Sequence, residues 1–129
     1  MRDVEVKIIV SDKLITTDGD APQLPVIVAP AIIFKVDKIP AALPLGITFI
    51  GTGLDDGKQH EFSFRIIKKD NQKTLFQSPI SNISIPVGSA NFVFSGNVNI
   101  LDFQETGRYH VIFTIDNEDY EDHFYIEEV

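Results

Sequence analysis

Apolar and polar residues alternate with a period of two along most of the chain. Val4, Val6 and Ile8 take turns with Asp3, Glu5 and Lys7, and His60, Phe62, Phe64 and Ile66 with Glu61, Ser63 and Arg65. Tyr109, Val111, Phe113 and Ile115 make a third apolar face, and Phe124 and Ile126 a last one. Successive side chains of a strand point to opposite sides, so this pattern predicts strands with one buried face. Phe92, Phe94, Val98 and Ile100 continue it opposite Asn91, Ser95, Asn97 and Asn99, with Gly96 read as a bulge. Helical spacing persists over no extended window. Turn dipeptides separate the runs: Asp18-Gly19, Asp56-Gly57, Asp70-Asn71, Val87-Gly88 and Asp116-Asn117. The run from Leu24 to Val36 contains Pro25 and Pro30, so it must lie at an edge, bulge or break in two. About seven to nine short strands without substantial helix predict an all-β antiparallel sandwich, with residues 1–129 as one domain.

The segment Phe103-Gln104-Glu105-Thr106-Gly107-Arg108-Tyr109 places a Gly two residues before a Tyr that opens an alternating strand. It resembles the tyrosine corner of Ig-like sandwiches, where the Tyr hydroxyl bonds back to the backbone just upstream. The Cys pair and core Trp of true immunoglobulin domains are absent. Over most of its length, at Asp18-Gly19, Pro40 to Pro44, His60-Glu61-Phe62 and Gly107-Arg108-Tyr109, the chain also resembles a bacterial family of short, uncharacterised Ig-like β-sandwich proteins. That resemblance implies the fold and carries over no site residue.

Charge divides the chain into three zones. Residues 1–73 hold ten Lys or Arg and ten Asp or Glu, residues 74–101 hold none, and residues 102–129 hold nine acids against Arg108, which accounts for the net −8. That charge would repel nucleic acid and anionic lipid. A basic partner or a divalent cation is easier to accommodate. No cysteine is present, which rules out a disulfide framework, thiol catalysis and Cys-based zinc sites and fits a reducing compartment. The first residues alternate in charge instead of forming an apolar leader, and the apolar stretch from Val26 to Phe34 is too short to span a bilayer. The expectation is a cytoplasmic protein that binds neither nucleic acid nor membrane.

Two constellations are candidates for function. In a simple meander every second connection lies at one pole, which would gather Asp18, Asp20, Asp55, Asp56, Asp116, Glu118 and Asp119. Calcium takes six to eight oxygen ligands, so such a pole is a candidate cation site. Asp also favours turns for local reasons, by bonding its own backbone. The second candidate is the uncharged middle, where Ser81, Asn82, Ser84, Asn91, Val93, Ser95, Asn97 and Asn99 would form a neutral strand pair. Solvent-facing strands usually carry Lys or Glu, whereas interface cores are depleted in charge. This pair is therefore either a contact surface or a central pair buried on both faces.

Of the histidines, His60 is read as a core or rim residue. His110 and His123 are placed on the outer faces of the last two strands, diagonal to each other, as a two-His metal site or a pH-sensitive patch. No Gly-x-Ser-x-Gly elbow occurs, and a sandwich this small leaves little room for a substrate cleft. The sequence thus points to a non-enzymatic interaction module contacting another protein or a second copy of itself. The alternatives are a calcium or small-ligand binding sandwich, or a structural subunit of a phage or secretion-type assembly.

Overall fold

Prolines decide how the early chain is divided between sheets. The structure, a computed structural model, describes residues 3–16 and 25–129. Strand β1 (Glu5–Thr16) pairs antiparallel with β2 (Pro25–Pro30). Pro30 has no N–H to continue the ladder, and Ala29 before it adopts a left-handed φ of 52°. The chain leaves this sheet and re-forms as β3 (Ile33–Val36) in the other one. The proline-bearing run is therefore broken in two, one of the three outcomes expected for it.

The remaining strands are β4 (Ala41–Thr52), β5 (Gln59–Lys68), β6 (Thr74–Gln77), β7 (Ser81–Ser84), β8 (Asn91–Phe103), β9 (Gly107–Ile115) and β10 (Glu118–Glu128). They form two packed sheets, β2-β1-β4-β8 and β3-β10-β9-β5-β6, with β7 also on β5. The described residues form ten strands where about seven to nine are expected, in part because Pro79 divides β6 from β7 on the same neighbour. All pairings are antiparallel among the described residues except β3 with β10. The orders β1-β4-β8 and β5-β9-β10 match the A-B-E and C-F-G strands of an Ig-like sandwich. No helix among the described residues is long and apolar enough to cross a membrane.

Phenylalanines join the sheets. Phe49 of β4 stacks on Phe113 of β9 with ring centroids 4.3 Å apart, and Phe94 of β8 meets Phe62 of β5 edge-on at 4.4 Å. Burying one such ring contributes about 1.5–3 kcal/mol. The Phe92 ring occupies the place a Cβ on Gly51 would take, so any side chain there would have to displace that ring.

The β8–β9 corner is closed as its sequence predicts. Tyr109 is 2% exposed, and its hydroxyl donates to the Glu105 carbonyl at 2.6 Å. Its ring stacks on Phe124 and meets Phe103 edge-on, with Lys68 Nζ 5.5 Å from its centroid. Burial, then the Glu105 carboxylate, push the phenol pKa up, which keeps the donor protonated. Gly107 before it takes a φ of 123° over the Lys68 amine.

The bulge in β8 is not at Gly96, which pairs in regular register with Ile47. It falls later: Leu43 pairs with Leu101 but Leu45 with Val98, so β8 carries one extra residue. An extra residue reverses which side faces inward. Leu101 is therefore buried, and Ile100, expected inside, is 70% exposed.

Candidate functional site

The uncharged segment does not form a strand pair. Ser81, Asn82 and Ser84 lie on β7 in one sheet, while Asn91, Val93, Ser95, Asn97 and Asn99 lie on β8 in the other. Proximity in sequence suggested pairing, but β7 is taken up by β5 and β8 by β4. Nor is the segment central. Among the described residues β8 ends its sheet, β6 and β7 lie beyond β5, and β6 touches β8. The charge-free segment thus builds one flank of the sandwich, where both sheets end.

This flank is outward-facing. Asn82, Ser84, Asn91, Val93, Asn97 and Asn99 are exposed, and Ser81 and Ser95 are half-buried. The described residues include seven exposed large hydrophobics, and four of them (Ile80, Val87, Val93 and Ile100) fall in this segment. Between Leu75 and the β8 bulge runs a groove of about 750 Å³, with Lys68 and Tyr109 among its lining residues. Lys68 is buried and holds Asp70 at 3.1 Å.

The acidic loops converge in part. His60 Nδ1 lies 2.5 Å from the Asp116 carboxylate, and its Nε2 lies 2.8 Å from the Asp55 carbonyl. This joins the β4–β5 loop to the β9–β10 turn. Gly57 N–H donates to the Ile85 carbonyl and Gly88 N–H to the Asp56 carboxylate at 2.6 Å, which brings in the β7–β8 loop. Asp116 also accepts the Glu61 N–H, and the Asp55 carboxylate holds Lys58 at 3.4 Å. Glu118 and Asp119 instead lie on β10, where Asp119 accepts from Thr114 and faces Arg65. Asp18 and Asp20 lie outside the described residues. Among the described residues, no group of three or more His, Cys, Asp or Glu is arranged to hold a metal ion.

Burial, the largest influence on His60, would lower its pKa. The bonds to Asp116 and to the Asp55 carbonyl, with the charges of both acids, outweigh it and leave the pKa raised. Strand alternation does not signal this role, because Asp116 is 56 residues away.

The β9–β10 turn consists of Asp116 and Asn117, both with positive φ, as a two-residue type I′ hairpin requires. A loop running from Asp116 to Asp119 would set the two histidines of these strands on a diagonal. The shorter turn sets His110 directly opposite His123 instead of diagonal to it, with ring centroids 6.1 Å apart. His110 Nδ1 bonds Glu121, and Arg108 donates to His123 Nδ1, each at 3.2 Å. The adjacent guanidinium disfavours a cation between these two rings.

No protein-family model matches this chain, and no curated protein does. Solved structures do resemble it. A β-glucosidase from Listeria innocua in complex with glucose aligns over 97% of this chain and 16% of its own, at 9% identity and a TM-score of 0.50. The same enzyme with isofagomine gives 98% and 16% coverage, 12% identity and a TM-score of 0.47. The Pseudomonas fluorescens alkylpurine DNA glycosylase AlkC, bound to DNA containing an abasic site analog, aligns over 95% of this chain and 30% of its own, at 16% identity and a TM-score of 0.46. This chain therefore spans about a sixth of the glucosidase, and the likeness is one of fold.

Proposed function

We propose that this chain is a non-enzymatic interaction module that adds a strand of a second polypeptide to the outer edge of β8. One observation carries the reading: the segment without charge is the segment that forms the outward flank of both sheets. An edge strand presents backbone donors and acceptors to any strand laid beside it, and soluble proteins commonly block such edges with charge. From Asn91 to Leu101 β8 has no charged side chain, and Val93 on its outer face is 54% exposed.

The occupant put first is a second copy of this chain. Two bodies of charge −8 repel over most of their surfaces. Antiparallel pairing of β8 with itself over Asn91 to Leu101 opposes neutral residues to neutral residues and closes into a two-fold dimer. A contact of one strand is small and transient in class, so sedimentation equilibrium should extend to ~1 mM chain. The expected result is a monomer–dimer equilibrium that tightens with salt, because salt screens the net repulsion. A strictly monomeric chain over that range overturns self-association. Association that weakens with salt overturns the neutral edge as the contact, because salt weakens attraction only between opposite charges.

A further inference from the structure

A neutral imidazole has one N–H and one lone pair. His60 has an acceptor in front of both ring nitrogens, the Asp116 carboxylate at Nδ1 and the Asp55 carbonyl at Nε2. A carbonyl cannot donate, and Asp116 already accepts the Glu61 N–H through its other oxygen. Both contacts are hydrogen bonds only when the ring carries two protons. The side chain is 8% exposed, so neither nitrogen can turn to water while the loops stay in place.

We propose that His60 is a pH-operated pin: as an imidazolium it clamps the β4–β5 loop onto the β9–β10 turn, and loss of one proton releases that loop. The remaining proton stays on Nδ1, facing the carboxylate, because a charged acceptor holds it more strongly. The Nε2 lone pair then opposes the Asp55 carbonyl oxygen at 2.8 Å, a contact that must open. The charged groups around the ring are Asp116 on the turn, Asp55 on the loop and Glu61 next in the chain. Lys58, held by Asp55, acts in the opposite sense. From β7, the residue paired with His60 is the uncharged Ile83.

The released loop also holds the entry to β8. Gly57 N–H bonds the Ile85 carbonyl and the Asp56 carboxylate accepts Gly88 N–H, while at the end of β4, where the loop starts, Thr52 Oγ1 donates to the Ala90 carbonyl at 2.7 Å, one residue before β8 begins. The pin thus regulates the β8 edge, a consequence that rests on the interaction reading above.

The test is long-range 1H–15N NMR of the full chain from about pH 5 to about pH 9, with amide exchange of Gly57 and Gly88 followed in parallel. His60 should give two protonated ring nitrogens at and above the ordinary histidine pKa of about 6.5. Protection of both glycine amides should fall about tenfold or more as it deprotonates. His60→Gln should remove the pH midpoint from both amides. A neutral His60 near pH 6, or amides indifferent to its titration, overturns the pin even if dimers form. Amides that respond in a chain that never associates uphold the pin and overturn self-association through β8.

Discussion

The uncharged flank and the acidic pole meet within a few residues of each other, yet they use their polar groups in opposite ways. At the pole the converging acids are engaged by the fold: Asp55 with Lys58, Asp56 with Gly88 N–H, Asp116 with His60 and Glu61 N–H. At the flank, which has no charge, strand edges and exposed Val93 and Ile100 face outward. A dense patch of carboxylates is the usual place to look for a ligand. Here those carboxylates tie loops together, while the chemically plain segment is the one left facing outward.

The two regions share one core, so the largest effect comes from breaking it. Phe49 stacks on Phe113 and lies 6.1 Å from the Phe94 ring of β8. Phe49→Ala should lower the unfolding free energy by about 3–5 kcal/mol in urea titration. A loss below about 1 kcal/mol would mean that the sheets do not pack through this ring.

The next effect separates pole from flank. Asp116→Asn removes the carboxylate that favours the His60 imidazolium. Because Asp116 is 45% exposed, the cost is discounted to about 1 kcal/mol near neutral pH. The sign with pH follows from the raised folded pKa of His60. Its stabilisation is complete below the unfolded value of about 6.5 and disappears as pH rises through the folded value. Melting temperature should therefore fall across that window in the native chain and change less in Asp116→Asn. Equal profiles would remove the pair from the account of the pole.

Tyr109→Phe tests the corner that β8 shares with β9. It deletes the donor to Glu105 and leaves the ring stack intact, so about 1 kcal/mol should be lost by urea titration. A neutral outcome would reduce the corner to its packing.

Much of this was legible in the residues. Alternation marked the strands, Gly107 and Tyr109 marked the corner, and loop parity gathered Asp55, Asp56 and Asp116. What the pattern could not contain was which sheet each strand joins. β3 changes sheets after Pro30, and β7 and β8 part company although they are neighbours in sequence. Nor could a period-two reading place the extra residue near Ile100, because a bulge reverses the phase that the reading relies on. His60 looked like one more apolar-face position. Its meaning comes from a carboxylate and a carbonyl supplied by two separate loops.

The smallest expected change in stability is the one that decides the comparison. Val93 is on the outer face of β8 and more than half exposed. Val93→Lys should alter unfolding free energy by no more than about 0.5 kcal/mol. In a two-fold β8 dimer the same change places a positive charge on each of two facing edges, in a contact that otherwise has none. Sedimentation should then show monomer at concentrations where the native chain forms dimer. Two results would break the contrast between flank and pole. If the variant unfolds, Val93 is part of the fold after all. If it dimerises unchanged, the contact lies elsewhere, and the uncharged flank is no more a binding surface than the acids opposite it.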